Sequence, residues 1–270
     1  QSMLIPSSFT HLWNEGLTHQ FKATVFRPCE IGALLQNESI RIVRQLASTP
    51  WSATFLARVD GRKLVVLKEL LLPHSDTNNV KAHELFLREC EIIQSLEHPG
   101  IARLKDRFSE NGRDYLVLDY KPGQDLQQLL GQKGTIDASV VCQVAMQVCD
   151  VLTYLHERPV PIVHRDVSPD NIVIDEIGNV RLIDFGAAKH LVQNATGTLI
   201  GKQAYIAPEQ LRGKVVPQSD LYSLGATMHT LLTGKQPLAI KQCSPKDDNA
   251  KVPDLLDALV QELTNFDEQL

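Results

Sequence analysis

The chain lacks any run of about 18 consecutive apolar residues, the length from which a membrane-spanning helix is built. Its opening, Gln1-Ser2-Met3-Leu4-Ile5-Pro6, lacks the basic-then-apolar order of a signal peptide. No membrane segment is therefore expected. The expected location is the cytoplasm, or the cytosolic face of a membrane-anchored parent protein. Basic excess is missing too. A net charge of −5 argues against a general nucleic-acid binder, which needs a positive surface, and leaves only local basic patches open. The cysteines (Cys29, Cys90, Cys142, Cys149 and Cys243) are odd in number and contain no CxxC pair, so free thiols in a reducing compartment are expected and a zinc site is not. Cys142 and Cys149, seven apart in a helical pattern, are expected on one buried face. Internal repeats and low-complexity tracts are absent. What is present is ordinary globular material. The 270 residues are 43% apolar and 22% charged, enough for one large domain or two lobes with separate cores.

Residues 1–40 are mixed, with a short strand expected over 21–26. From 41 to 72 the pattern is that of strands: Ile40–Val43, Thr54–Val59, an Asp60-Gly61 hairpin signal, then Leu64–Leu67 running into Lys68. A helix is expected over 79–97, stopped by His98-Pro99-Gly100, and strands near Ile101–Phe108 and Tyr115–Tyr120. Beyond Pro122-Gly123 the character turns helical. Asp137 is placed to cap a helix whose Val141, Val144, Ala145, Val148, Leu152 and Leu155 form one stripe. Further helices are expected over 219–233, closed by Gly234, and over 252–263. A β-rich front and an α-rich back meet near 119–123, and a cleft between two such lobes is a usual place for a ligand.

The strongest chemical signal is His164-Arg165-Asp166-Val167-Ser168-Pro169-Asp170-Asn171, followed by Asp184-Phe185-Gly186. The β-type residues between them, with Gly178-Asn179 as a turn, form a hairpin that returns Asp184 to Asn171. Two carboxylates and an amide are thereby gathered. Phosphoryl transfer from a nucleotide needs such a set: oxygen ligands for Mg²⁺, and a separate carboxylate to orient the attacking hydroxyl.

These motifs resemble the HRDxxxxN and DFG signatures of the eukaryotic-type (Hanks-type) protein kinases, and the resemblance covers about 41 to 240. It implies an α+β, bilobal fold: a small N-lobe with an antiparallel sheet and one helix, and a larger, mainly helical C-lobe. The expected division is an N-terminal extension over 1–40, an N-lobe over 41–118 and a C-lobe over 119–270, stopping short of the family's C-terminal end. By the resemblance, Asp166 is the catalytic base, and Asn171 and Asp184 are metal ligands. Lys68, at the end of Val65-Val66-Leu67-Lys68, grips the α- and β-phosphates of ATP, with Glu89 favoured over Glu91 as its helix partner. Leu118 is the gatekeeper, and Asp119 and Lys121 offer backbone groups to the adenine. Asp125 either reaches the ribose or caps the helix that follows it. Ala207-Pro208-Glu209 resembles the APE motif, whose Glu209 lacks an evident arginine partner. Asp220 is expected to support the backbone at His164-Arg165. The segment 187–205 is the expected activation loop. There Thr198 is either a phosphorylation site that pairs with Arg165 or an ordinary loop threonine.

Three departures from the family pattern stand out. The phosphate loop has no glycine: Ala47, Thr49 and Ser52 stand at the glycine positions and Thr54 at the following valine position, with Val66 on the facing strand. Ser168 replaces a lysine that would stabilise the transferring phosphate, and Lys202 stands where a threonine is usual. Lys202 either restores the missing ammonium near Asp166 or is a solvated loop lysine. The resemblance implies an ATP- and Mg²⁺-dependent kinase acting on Ser or Thr of protein substrates. The alternative is a pseudokinase that binds nucleotide as a scaffold or regulator.

Overall fold

The computed structural model describes residues 28–48, 52–70, 87, 90–184 and 203–265. The front half is one six-stranded sheet. Its strands are β1 (Leu34–Leu35), β2 (Ile40–Ser48), β3 (Ser52–Val59), β4 (Lys63–Leu70), β5 (Leu104–Glu110) and β6 (Arg113–Asp119), in the order β1-β2-β3-β4-β6-β5 and antiparallel throughout. Asp60-Gly61 turns β3 into β4 with both residues at positive φ, the geometry that suits the twist of a tight hairpin. Successive side chains of a strand point to opposite faces. Val65 and Leu67 of β4 therefore join Phe55, Ile42 and Tyr115 in the sheet's outer core, while Val66 and Lys68 face the other way.

The segment before β2 is part of this packing. Leu35 is buried against the outer core, and Cys29 donates its backbone N–H to Glu69 Oε2 at 3.0 Å. Glu69 follows Lys68 in β4, is fully buried, and is also held by Arg113 and by Tyr115 Oη at 3.2 Å. Most of the helix expected over 79–97 lies outside the described residues, as does the strand expected over 21–26. Residues 90–94 are helical.

The back half is built on helices Leu126–Lys133, Ala138–His156, Pro217–Thr233 and Asp254–Leu263. A small sheet of β7 (Gln124–Asp125), β8 (Ile172–Ile174) and β9 (Val180–Leu182) lies beside them. Helix Ala138–His156 is long and apolar enough to cross a bilayer by length and composition alone. Its Val141, Val144, Val148, Leu152 and Leu155 stripe is nevertheless packed in the lobe's main core. The two cysteines of this helix lie on one side of that stripe, and their shared face is not a buried one: Cys142 is exposed and Cys149 half-buried. Asp137 precedes the helix but makes no side-chain cap. Its carbonyl accepts Val141 N at 3.0 Å.

Helix Pro217–Thr233 is buried along nearly its whole length. Gly225 sits close under the end of helix Asp254–Leu263: a Cβ there would lie 2.8 Å from Leu263 Cβ and Thr264 Cγ2. Several polar residues of this central helix find partners elsewhere in the lobe. Thr227 Oγ1 donates to Val167 O at 3.0 Å, and Ser219 Oγ to Glu209 Oε1 at 2.6 Å. Glu209, for which the sequence offers no arginine, is thus held by a serine ten residues on.

Candidate active site

Asp220 organises the loop that begins at His164. Its carboxylate is fully buried and accepts the backbone N–H groups of His164 at 2.8 Å and Arg165 at 2.7 Å, with His156 Nε2 at 2.8 Å. Arg165 sits at φ 71°, a left-handed conformation that a non-glycine residue holds only when its surroundings impose it. Gln210 Nε2, donating to Arg165 O at 3.3 Å, closes the other side. The loop then makes a short 3-10 turn, Pro169–Asn171.

Asn171 Nδ2 donates to Asp166 Oδ2 at 2.6 Å and to Asp166 O at 2.8 Å. Using the amide nitrogen this way leaves the amide oxygen of Asn171 as its acceptor atom. Ser168 is fully buried; its hydroxyl donates to Asp170 Oδ1 at 2.6 Å and lies 3.5 Å from Asp166 Oδ1. It steadies the acids and brings no cation.

The β8–β9 hairpin carries the chain back. Asp175 at its tip accepts Asn179 N at 2.8 Å and Ile177 N at 3.1 Å, while Gln147 of the long helix bonds Gly178 O and Val180 N. Ile183 N then donates to Asn171 O at 2.9 Å, which sets Asp184 beside Asn171. Asp184, at φ 61°, accepts a hydrogen bond from Lys68 Nζ at 2.9 Å. The Lys68 side chain is 9% exposed and that of Asp184 33%, so the pair sits at the inner wall of an open cleft.

That cleft, of about 510 Å³, lies between the two halves. Of the residues singled out in the sequence, Ala47, Thr54, Val66, Lys68, Leu118, Asp119, Lys121, Asp125, Asn171 and Asp184 line it. Asp166 does not line it but is tied to Asn171, which does. Ser52 does not line it either: it sits in β3 opposite Leu70. Thr49, Glu89, Thr198 and Lys202 lie outside the described residues. Arg165 is in the loop below, exposed.

Arg44, Leu46, Gln128 and Arg181 also line the cleft and were not anticipated. Alternation alone would put Leu46 with Ile40 and Ile42 on the outer face, and register shifts between Ile42 and Arg44 and between Gln45 and Ala47 turn it into the cleft. Asp125 caps helix Leu126–Lys133 by accepting Gln128 N at 2.7 Å. Its carboxyl titrates above the usual carboxylate range, first because it is partly buried, with the nearby charge of Asp170 adding to the effect against the capping bond.

Asn171 and Asp184 present hard oxygen donors side by side, the kind Mg²⁺ takes, and Lys68 adds a cation on the same wall. A sheet lobe over a helical lobe, with this donor set in the cleft, is the bilobal α+β fold of the kinases. The comparisons agree. The Protein kinase domain family matches residues 50–268, and the chain belongs to that family.

Among relatives, it is 34% identical over 215 residues to Tyrosine-protein kinase MasK of Myxococcus xanthus, covering 73% of this chain and 33% of that protein. It is 36% identical over 220 residues to Serine/threonine-protein kinase C of Synechocystis, covering 75% of this chain and 40% of that one. The solved structure described as PpkA-294 apo form superposes with a TM-score of 0.74 at 21% identity, covering 88% of this chain and 93% of that one, and shows the shared fold. The chain spans between a third and about half of the length of the first curated relatives it matches.

Proposed function

We propose that this domain transfers the γ-phosphate of ATP to serine or threonine hydroxyls of protein substrates, its own chain included. The observation that carries the reading is the convergence of Lys68, Asn171 and Asp184 on one cleft from three separate stretches of chain, with Asp166 tied to Asn171 beside it. Positioning and charge stabilisation are the main work of such a site. Lys68 holds the non-transferred phosphates. Asn171 and Asp184 hold Mg²⁺, which when bound neutralises charge on the phosphates. Asp166, aimed by Asn171 Nδ2, orients the acceptor hydroxyl and takes its proton. Leu118, Asp119, Lys121 and Val66, which line the cleft together, would frame the adenine. Of the relatives, one is named a tyrosine kinase and others serine/threonine kinases. The serine/threonine assignment rests on the more numerous names and on the lack of a tyrosine-kinase signature after Asp166.

The test is incubation with radiolabelled ATP, Mg²⁺ and generic protein substrates, beside an Asp166→Asn control, followed by phosphoamino-acid analysis. Label on serine or threonine that falls by about 10²–10⁴-fold in the control supports the reading. Nucleotide binding with no transfer makes the domain a pseudokinase instead.

A further inference from the structure

A second cavity, of about 440 Å³, abuts the nucleotide cleft and shares Asp119, Lys121 and Arg181 with it. Its charge is unlike that of the chain as a whole. Four cationic side chains, Arg103, Lys105, Lys121 and Arg181, line it against two carboxylates, Glu97 and Asp119. The two carboxylates leave an excess of two positive charges. Asp119 turns its Oδ1 to the backbone N–H of Arg103 at 2.5 Å. Glu97 pairs with Arg103, but its side chain is 80% exposed, so that pair contributes little and yields readily to a better anion. Among the described residues the side chains of Lys105, Lys121 and Arg181 make no hydrogen bond or ion pair, although the Arg181 charge reaches the exposed Asp175 carboxylate and, after the hydrogen bond from Asn179, helps hold its pKa down. His98 is occupied, with Nδ1 accepting Gly100 N at 3.1 Å and Nε2 3.1 Å from Asp150.

The backbone beneath these cations is fixed. Leu182 N donates to Gly100 O at 2.9 Å, and Ile101 bridges to Leu182, so Arg181 in β9 is held against the 98–103 turn. Asp119 N donates to Arg103 O at 3.0 Å, which locks the end of β6 to the start of β5. A cluster of like charges on a rigid frame focuses a positive potential and needs little reorganisation to take an anion. Two of the four are arginines, whose forked guanidinium suits phosphate oxygens. The excess of cations over carboxylates matches the charge of about −2 on a phosphate monoester near neutral pH.

We propose that this cavity is a docking site for a phosphoryl group carried on a peptide segment of a protein. It abuts the site that acts on ATP and shares Arg181, Lys121 and Asp119 with it, but Arg103 and Lys105 belong to this cavity and not to the cleft. The shared chemistry is the phosphate dianion, and inorganic phosphate is the competing source.

The test uses the full 270-residue chain, saturated with a non-hydrolysable ATP analogue so that the nucleotide cleft is filled. Binding of a fluorescent phosphoserine peptide, its unphosphorylated twin and inorganic phosphate is measured by anisotropy or competition. Wild type is compared with Lys105→Glu and Arg103→Glu, neither of which lines the cleft. The expected result is phosphopeptide binding that weakens at least tenfold in each variant and with added salt, while the melting shift given by the ATP analogue is unchanged. The twin should bind at least tenfold more weakly than the phosphopeptide, and inorganic phosphate should compete only at far higher concentration. Affinity within twofold of wild type in both variants overturns the site. Equal binding of the two peptides overturns the phosphate, and inorganic phosphate binding as tightly as the phosphopeptide overturns the peptide. No turnover is measured, so a domain that proved inactive as a kinase would leave the result legible.

Discussion

Asp220 accepts the backbone N–H of Arg165 at 2.7 Å and so holds Arg165 in its left-handed conformation, one residue before Asp166. A fully buried carboxylate on the central helix thereby sets the aim of the loop that carries the acid.

Replacing Asp220 by alanine leaves the N–H groups of His164 and Arg165 without their acceptor inside the lobe. The expected loss of stability is about 3–5 kcal/mol, read from urea unfolding. Transfer activity should fall with it, because Arg165 is then free to leave its strained φ. Asp220→Asn keeps one acceptor oxygen and should lose less. A change under about 1 kcal/mol in Asp220→Ala would mean that the loop holds itself.

Lys68→Met tests the cleft wall directly. Methionine matches the lysine stem, and the Asp184 side chain, 33% exposed, can turn to water, so the melting temperature should change little. Transfer efficiency should fall by about 10²–10³-fold, the usual cost of removing one preorganised charge from a phosphoryl site. Activity above a third of wild type would separate Lys68 from the chemistry.

Much of this geometry could be read in advance because it is local or periodic. Alternation in Val65–Lys68 put Lys68 on the face opposite Leu67, and the run from Ile172 to Ile183 could only return Asp184 to Asn171 by a hairpin. Gly234 closes the central helix as expected, in the left-handed conformation. One local signal was overlooked: Asn111-Gly112, both at positive φ, turns β5 into β6. What could not be read depends on contacts between distant parts of the chain. Glu69 is buried because Cys29, Arg113 and Tyr115 converge on it. Ser219 became the partner of Glu209 because the chain from Pro208 folds back onto the central helix. Arg181 reaches the cleft only because β9 is tied to Gly100. The expected burial of Cys142 and Cys149 failed for a simpler reason: a shared helix face need not be the buried one.

Asp125 both caps a helix and lines the cleft, and two substitutions separate these roles. Serine caps about as well as aspartate, so Asp125→Ser should keep stability within a few tenths of a kcal/mol while Asp125→Ala loses about 1 kcal/mol. If the carboxylate also holds the ribose, both variants should weaken ATP binding by a similar factor of roughly ten or more, since both lose a charged acceptor. Calorimetric titration of ATP with wild type and the two variants decides it. Unchanged affinity in Asp125→Ser would leave the cap as its whole role.

His229 on the central helix gives the fold a pH dependence with a definite sign. The ring is 4% exposed and, among the described residues, neither nitrogen has a hydrogen-bond partner, although Asp248 Oδ2 lies 3.5 Å from Nε2. Burial pushes its pKa below the ordinary 6.5, opposed by the charges of Asp248 and Asp257 and reinforced by Lys235. The folded ring therefore stays neutral while the unfolded one takes up a proton as pH falls through 6.5. Stability is complete above that pH, declines below it by up to about 1.4 kcal/mol per pH unit, and levels off beneath the depressed folded value. Asp248, itself held below the usual carboxylate range first by its hydrogen bond from Lys235, loses that bond only under its ordinary 3.8 and, being exposed and screened, contributes little, so the two windows do not overlap at mildly acidic pH. Urea midpoints at pH 7.5, 6.5 and 5.5 should fall in wild type and fall less steeply in His229→Gln, which has nothing to protonate. Parallel slopes in the two proteins would place the acid sensitivity on another histidine.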